Sequence, residues 1–447
     1  MKIIAKSSLS KYVLKAVFDK EKINSEIIKE TNVITEDINK KVAYIYLGKD
    51  LTYDSVKAAS IAIAKSKRDY QIDLKTFYGQ KVTEEHVINL LVSKYHFENP
   101  DIYNVKTKKT KPKDLTLFNV SSDGKKHFTK AKVLAQAVEY TRNLQAMPPN
   151  LLHSEAYAQK IKTDFAKFKN LSVKVLNKKQ ITDLKMGLLL SVNKGSAYEP
   201  RVVIIEYKGN PKNKEKTAII GKGITFDAGG YNIKVGKYMA GMKFDMSGSA
   251  AVAGAMMAIA SLKPKSNISA VLVMTDNMIS STASTPDSVW HAMNGKSVEI
   301  NNTDAEGRLA MADGLTYAAN KLKATKLIDI ATLTGAVIAA LGSTYTGVWT
   351  TTDKDWTMMH EAACRADELI WRMPLHKDYS KFIKKSKVAD IFNTDLSGKA
   401  GSSSAAMFLT NFTEGKDYIH LDIAGTADID GIPQGAMVKT LYEVANG

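Results

Sequence analysis

The sequence has little of several features on which other classes of protein depend. Only one of its 447 residues is a cysteine, Cys364, so an internal disulfide is excluded. This fits a reducing cytoplasm, and we expect Cys364 to be a small buried apolar side chain and not a nucleophile. The longest apolar run, from Ala250 to Ala260, is far too short to cross a bilayer, and the first 19 residues hold no apolar stretch of signal-peptide length. We therefore expect a cytoplasmic protein that does not enter a membrane.

Acidic residues are few relative to basic ones. The chain has 46 aspartates and glutamates and 63 lysines and arginines, which gives a net charge of +17. Such an excess is compatible with nucleic-acid binding. Only six of the basic residues are arginine, and the densest basic run, from Lys106 to Lys113, has no interleaved aromatic residue for base stacking. We expect this run to be an exposed loop, and a nucleic-acid partner is not favoured.

The order of strand-like and helical runs predicts an α/β protein of two domains. Before residue 147, apolar strand-like runs (Val42 to Leu47 and Gln71 to Phe77) alternate with helical runs, and no catalytic constellation is found. A helical run then stops at Met147-Pro-Pro-Asn150, because proline cannot continue a helix. We expect a smaller N-terminal α/β domain at 1–147 and, at 148–447, a larger α/β/α domain whose mixed sheet is covered by helices on both faces.

A first acidic cluster lies in the octet Asn302-Thr-Asp-Ala-Glu-Gly-Arg-Leu309. It offers the carboxylates of Asp304 and Glu306 and the guanidinium of Arg308, between a strand-like run and a helical run. Ligands of open α/β sheets bind where strands end, so this position favours a site. The local alternative is a helix N-terminus, where acidic residues are favoured by the helix dipole.

A second cluster follows a strand-like run that ends near Phe226. It contains Lys222, Asp227, Lys234 and Asp245 among several glycines, which let the backbone turn sharply. Asp245 could instead cap the small-residue helix that follows, and Asp227 could be a turn residue. One shared site is the more economical explanation of all these residues.

Converging carboxylates repel one another unless cations compensate their charge. None of the eight histidines lies in either cluster, so the ligand set would be rich in oxygen, which suits Mg²⁺ or Mn²⁺ and does not exclude Zn²⁺. Two such ions would activate water and polarise a carbonyl or phosphoryl group. The residues alone predict a dinuclear metallohydrolase and leave open whether it cleaves amides or phosphate esters.

Both clusters resemble the signature blocks of the leucyl aminopeptidase family, the cytosolic two-metal aminopeptidases. The matching blocks are Gly221-Lys-Gly-Ile-Thr-Phe-Asp-x-Gly-Gly230 and the octet, and further matches are Asp329-Ile-Ala-Thr-Leu-Thr-Gly-Ala336, Val388-Ala-Asp390 and His420-Leu-Asp-Ile-Ala-Gly425. The resemblance covers about two thirds of the chain, from Arg142 onward. It implies a catalytic domain with a largely eight-stranded mixed sheet, and release of N-terminal, preferably leucine-like residues from short peptides.

The resemblance also implies a role for each acidic residue. Asp227 and Glu306 match the carboxylates that bridge the two metal ions. Lys222 and Asp245 match further ligands of one ion, and Asp304 matches a further ligand of the other. The ions would be Mn²⁺ or Zn²⁺, or else Mg²⁺ or Co²⁺.

Two cations match catalytic positions of the family. Lys234 resembles the lysine that stabilises the oxyanion of the tetrahedral intermediate. Arg308 resembles the arginine that holds a bicarbonate ion, which carries the proton of the attacking water. The residues that match the pocket for the first side chain of the substrate are mostly small or apolar: Met242, Thr332, Leu333, Gly335, Ala424 and Ala427.

Departures from the family pattern leave every predicted metal ligand in place. Ala228 stands where the family usually has serine, which affects the expected metal preference and the hydrogen bonds around the ligands. The resemblance implies a homohexamer. The alternatives are a DNA-binding or scaffold protein on the same fold, and a dinuclear phosphoesterase, which the lack of clustered histidines disfavours.

Overall fold

The computed structural model describes residues 1–19, 26–108 and 113–447 of the chain. These residues form two compact units, Met1–Glu139 and Tyr140–Gly447. The division lies inside a long helix, which ends at Ala146, next to the prolines at which the sequence predicts a boundary. Each unit has its own sheet, so the predicted α/β class is confirmed.

The first unit is a six-stranded sheet with helices. Its elements are β1 Lys2–Ile3, β2 Tyr12–Val17, β3 Ile34–Asp37, β4 Val42–Tyr46, α1 Tyr53–Lys65, β5 Tyr70–Asp73, α2 Glu84–Glu98, β6 Thr116–Phe118 and α3 Ser122–Ala146. The strands follow the order β1-β6-β5-β2-β4-β3, and all neighbours are parallel except β3 and β4. Thr52 and Thr83 cap helices α1 and α2 by accepting from backbone N–H groups of the first turn.

The second unit contains the remaining elements. In chain order they are α4 Ser154–Phe165, β7 Leu171–Leu176, α5 Lys178–Asp183, α6 Gly187–Asn193, β8 Arg201–Lys208, β9 Thr217–Asp227, α7 Ser247–Leu262, β10 Asn267–Asn277, β11 Ser288–His291, β12 Ser297–Ile300, α8 Glu306–Asn320, β13 Lys326–Ala331, α9 Gly335–Leu341, β14 Thr346–Thr350, α10 Asp353–Ala366, β15 Ile370–Arg372, β16 Ile391–Phe392, α11 Gly401–Leu409, β17 Asp417–Asp422, β18 Asp428–Ile429, β19 Ile432–Pro433 and α12 Val438–Asn446.

An eight-stranded mixed sheet forms the centre of this unit, as the resemblance implies. Its order is β15-β14-β17-β13-β9-β10-β8-β7. The four central strands, β17, β13, β9 and β10, are parallel neighbours, so their carboxyl ends meet at one edge of the sheet. Strands β14 and β8 pair antiparallel on either side. A separate three-stranded sheet joins β11, β12 and β16 next to the octet.

Helices α7 and α8 are almost wholly buried, which explains their small and apolar residues. Helix α7 lies so close to the sheet that a Cβ on Gly248 would come within 2.1 Å of the Ile330 carbonyl oxygen. Among the described residues, one segment, Gly236–Leu262, is long and apolar enough to cross a membrane, but 83% of its most apolar window is buried inside the protein. Such burial is typical of a core helix.

Two predictions about single segments have different outcomes. Cys364 is exposed on α10, so the expectation that it is buried is wrong; the helix turns its alanines, including Ala362 and Ala363, inward instead. Of the predicted basic loop Lys106 to Lys113, residues 109–112 lie outside the described part of the chain, while Lys106 and Lys108 are exposed.

Candidate metal centre

The two acidic clusters meet at the carboxyl edge of the central sheet. Asp227 is the last residue of β9, and Lys222 lies five residues earlier on the same strand. Asp245 belongs to a short 3₁₀ turn, Met242–Met246, that leads into α7. Glu306 begins α8, so its carboxylate lies in the first turn of a helix. Residues from three separate segments of the chain are thus brought together by the order of the strands.

Three of these carboxylates form a tight group. Asp227, Asp245 and Glu306 each offer an oxygen, and these three atoms lie within 4.8 Å of one another. All three side chains are buried. Asn277, at the end of β10, donates its Nδ2 to Asp227 Oδ1 at 2.8 Å, and the Gly229 amide donates to the same oxygen at 2.9 Å. The orientation of Asp227 is therefore fixed by two donors.

Lys222 lies among the carboxylates. Its Nζ is 2.7 Å from Asp245 Oδ1 and 2.9 Å from Glu306 Oε1. It also donates to the Thr332 carbonyl at 2.8 Å. Burial by itself would lower the pKa of Lys222, but the charges of Asp245 and Glu306 raise it well above its usual value.

Lys234 makes the matching pair of contacts on the other side of the group. Its Nζ is 2.8 Å from Asp227 Oδ2 and 2.7 Å from Asp304 Oδ1. The side chain of Lys234 is 15% exposed and that of Lys222 is 3% exposed, so Lys234 is the more accessible of the two lysines. The structure thus brings six predicted residues into one network: Lys222, Asp227, Lys234, Asp245, Asp304 and Glu306.

Burial dominates the electrostatics of the acids. It raises the pKa of Asp227, and the nearby charge of Glu306 raises it further, while Lys234 and Lys222 oppose the shift. Burial raises the pKa of Asp245 well above its usual range and also raises that of Asp304. Neighbouring carboxylates with raised pKa values, two of them buried, are a sign of a functional site.

The donor set fits a divalent cation. Asp245 Oδ2 is buried and has no hydrogen-bond partner among the described residues. A buried carboxylate oxygen without a donor is costly, and coordination of a cation would satisfy it. Oxygen donors suit hard ions such as Mg²⁺ and Mn²⁺, while Lys222 could act as a ligand only after losing a proton, because an ammonium has no lone pair.

Arg308 lies two residues after Glu306 in α8 and is 6% exposed. Its Nη1 donates to the Asn393 carbonyl and to Thr394 Oγ1, both at 3.0 Å. Its Nε is buried without a partner among the described residues, so it remains available to an anion. Burial lowers the pKa of Arg308 to about 10, which still leaves it cationic near neutral pH.

The predicted pocket residues are spread over three segments near the site. Thr332 joins the network directly, because its Oγ1 donates to Asp245 Oδ1 at 2.8 Å. Leu333 follows on the turn after β13, and Gly335 is the first residue of α9. Apart from its chain neighbours and the backbone of its own helix, no described atom lies within 4 Å of a Cβ built on Gly335. The other three residues differ in exposure, Met242 and Ala424 being partly exposed and Ala427 being 1% exposed.

Several residues that hold the site were not singled out from the sequence. Asn393 accepts from the Asn301 amide at 2.9 Å and donates to the Asn302 carbonyl at 2.7 Å, so it fixes the start of the octet. Asp422 accepts from the turn that carries Thr332 and Leu333. Asn277 and Asp422 both lie at the carboxyl ends of central strands, and that position is the signal that could have identified them.

Comparison with known proteins supports the family resemblance of the two sequence clusters. The model of the cytosol aminopeptidase family, catalytic domain, matches residues 139–442. A probable cytosol aminopeptidase of Metamycoplasma salivarium is 49% identical over 99% of this chain and 86% of its own length. A protein of the same description from Mycoplasma genitalium is 48% identical over 70% of this chain and 70% of its own length. Another, from Mycoplasma pneumoniae, is 41% identical over 85% of this chain and 85% of its own length.

Proposed function

The chain belongs to the cytosol aminopeptidase family, and we propose that it releases N-terminal, preferably leucine-like apolar residues from short peptides with the help of two divalent metal ions. The aminopeptidase activity follows from the family. The observation that supports metal dependence most directly is the group of three buried carboxylates, Asp227, Asp245 and Glu306, whose oxygens lie within 4.8 Å of one another.

We assign the ligands by position in the family motifs. Asp227 and Glu306 would be shared between the two ions, Lys222 and Asp245 would complete one site, and Asp304 would complete the other. Mn²⁺ and Zn²⁺ are the ions we expect, with Mg²⁺ or Co²⁺ as substitutes. When bound, the ions would acidify a water molecule, polarise the scissile carbonyl and accept the lone pair of the substrate's free amine.

Lys234 is the group of the chain best placed to stabilise developing negative charge. Its ammonium contacts Asp227 and Asp304 and is more accessible than that of Lys222. Burial by itself would lower the pKa of Lys234, but the charges of Asp227 and Glu306 raise it, so Lys234 stays protonated. A fixed cation beside the reacting carbonyl would lower the energy of the tetrahedral intermediate.

Arg308 would hold the anion that moves the proton of the attacking water. Its unpartnered Nε and its two fixed contacts through Nη1 suit a planar oxyanion such as bicarbonate. The pocket for the first side chain would be formed by Met242, Thr332, Leu333, Gly335, Ala424 and Ala427, mostly small or apolar groups that suit leucine.

We also propose a location and an assembly for the protein. The words cytosol aminopeptidase in the relatives' names support a cytoplasmic location. The proposed homohexamer rests on the resemblance of the motif blocks to the family. A size measurement by light scattering at several protein concentrations would test the assembly.

The test of function is hydrolysis of leucine p-nitroanilide by purified protein supplied with Mn²⁺. We expect cleavage of the free-amine substrate, no cleavage of its N-acetylated form, and loss of activity with a chelator or in the Glu306→Gln variant. No cleavage by folded protein with any of Mn²⁺, Zn²⁺, Co²⁺ and Mg²⁺ would contradict the proposal. Cleavage of phosphate esters in place of amides would favour a phosphoesterase.

A further inference from the structure

Asp422 is a fully buried carboxylate that, among the described residues, forms its hydrogen bonds with groups other than the proposed metal ligands. It is the last residue of β17 and is 1% exposed. Its register partner on the neighbouring parallel strand β13 is Ala331, the last residue before the turn 332–335. The carboxylate of Asp422 is thus placed beside the backbone of that turn.

Asp422 accepts three hydrogen bonds, and two of them come from the turn. Oδ1 accepts from the Leu333 amide at 3.0 Å and from the Ala424 amide at 3.1 Å. Oδ2 accepts from Thr334 Oγ1 at 2.6 Å. Thr334 in turn caps α9, because its Oγ1 accepts from the Val337 amide at 3.2 Å. One side chain therefore fixes both the path of the turn and the start of the following helix.

The same turn contacts the metal centre through the residue just before Leu333. The Thr332 carbonyl accepts from Lys222 Nζ at 2.8 Å, and Thr332 Oγ1 donates to Asp245 Oδ1, also at 2.8 Å. A shift of the turn would therefore move the partners of two proposed ligands. It would also move Leu333 and Gly335, two residues of the proposed pocket.

The carboxylate of Asp422 lies at the end of a row of buried polar side chains on β17. His420, two residues earlier, is fully buried, and its Nδ1 lies 2.6 Å from Asp329 Oδ1. Tyr418 donates its hydroxyl to the other oxygen of Asp329. Tyr418, His420 and Asp422 alternate along β17 and so point to one face of the sheet, where they form a column of polar groups that ends at the turn.

We propose that Asp422 is a positioning residue that couples the metal centre to the substrate pocket by fixing the turn 332–335. This inference rests on the proposed function, since it names the residue that aligns Lys222 and Asp245 with the pocket. Residues around the ligands of a metal ion set its affinity by about 10–100-fold in general. Two hydrogen bonds to a buried carboxylate hold the turn in place, and their loss would leave buried donors of the turn without a partner and let the turn shift.

The test compares Asp422→Asn with Asp313→Asn. Both acids are fully buried and accept backbone N–H groups, and Asp313 accepts those of Leu189 and Met293, away from the turn. An asparagine at 422 keeps an acceptor for two amides but removes the acceptor for the Thr334 hydroxyl. The readouts are metal affinity, by equilibrium competition with a chelator, and the ratio of kcat/KM for leucine and alanine substrates.

We expect both variants to lose stability. Only Asp422→Asn should lose about tenfold in metal affinity and shift the leucine-to-alanine ratio. Metal affinity and selectivity within twofold of the parent protein in folded Asp422→Asn would overturn the proposal. If the parent protein cleaves no amide, the proposed function fails while the affinity comparison still decides whether Asp422 positions the ligands.

A second pair of variants covers the case in which Asp422→Asn does not fold. Thr334→Val removes the hydroxyl that Asp422 holds, whereas Thr334→Ser keeps it. Thr352→Val removes an equivalent helix cap on α10 and controls for the lost cap alone. Reduced metal affinity in Thr334→Val, but not in Thr334→Ser or Thr352→Val, would support the proposal, and equal affinity in all three would overturn it.

Discussion

The ammonium of Lys222 lies 2.9 Å from Glu306 Oε1, although one residue belongs to strand β9 and the other to the first turn of α8. The contact depends on a glycine, because a Cβ on Gly307 would lie 2.5 Å from Lys222 Cε and 2.7 Å from its Nζ. The glycine in the octet therefore provides the space that the lysine side chain occupies.

Gly307→Ala should displace Lys222 and so weaken metal binding. Because Gly307 is helical, alanine would ordinarily stabilise the helix by up to about 1 kcal/mol. We expect a fall in metal affinity and in kcat/KM of about 10–100-fold, while the helix preference of alanine offsets only part of the stability lost with the displaced ion pairs. Gly79→Ala is the control, since its Cβ would meet only Leu51 at 3.4 Å, an ordinary contact. An active Gly307→Ala enzyme with the parent's metal affinity would contradict this prediction.

Lys234→Met should reduce kcat far more than it raises KM. Loss of one group that stabilises an oxyanion typically costs about 10²–10³ in kcat. Lys237→Met provides the control, because Lys237 lies three residues further on and is exposed. Steady-state kinetics with leucine p-nitroanilide would measure both. If the two variants had equal kcat values, Lys234 would have no role in the reaction.

Thr394→Val should impair the enzyme through Arg308. The substitution keeps the shape of the side chain but removes one of the two acceptors of Arg308 Nη1. We expect about a tenfold fall in kcat, as for one charge-assisted hydrogen bond of about 1.5–3 kcal/mol, and a higher bicarbonate concentration for half-maximal rate. Rates would be measured in CO₂-depleted buffer with added bicarbonate. Thr394→Ser keeps the hydroxyl, so matching behaviour of the two variants would exclude this explanation.

The fold and the acidic residues could be predicted because their signals are local in the sequence. Asp227 follows a strand-like run, and Glu306 precedes a helical run. Each carboxylate is therefore expected at the end of an element. The resemblance of the motif blocks predicted both the eight-stranded sheet and the family, and both predictions are confirmed. The predicted strand Gln71 to Phe77 is shorter in the structure, where it ends at Asp73 and a 3₁₀ turn follows.

The supporting contacts could not be predicted because they depend on which strands become neighbours. Asn393 reaches the octet only because β16 pairs with β12. In this pairing Ile391 lies beside Val298, which is 93 residues earlier in the chain. Asp422 reaches the turn 332–335 only because β17 and β13 are parallel neighbours. Neither pairing leaves a periodic signal in the sequence. The roles of the individual site residues remain predictions.

Asp313 should make stability depend on pH independently of the metal centre. Burial raises the pKa of Asp313, and hydrogen bonds from the Leu189 and Met293 amides lower it by a smaller amount. The net pKa is about 7. The folded chain therefore holds this proton up to about pH 7, whereas the unfolded chain releases it near the ordinary value of 3.8. Between these values the folded state binds more protons, so the free energy of unfolding falls as pH rises, by at most about 1.4 kcal/mol per pH unit.

The measurement is urea unfolding of the parent protein and Asp313→Asn at several pH values from 4.5 to about 8. Asparagine cannot titrate, and its amide faces one of the two backbone N–H groups, which adds a cost of about 1–3 kcal/mol at every pH. The stability advantage of the parent protein over Asp313→Asn should therefore shrink from pH 4.5 to about pH 7 and then level off. An advantage that instead grows with pH would mean that the two backbone donors outweigh burial and that the pKa of Asp313 lies below its ordinary value.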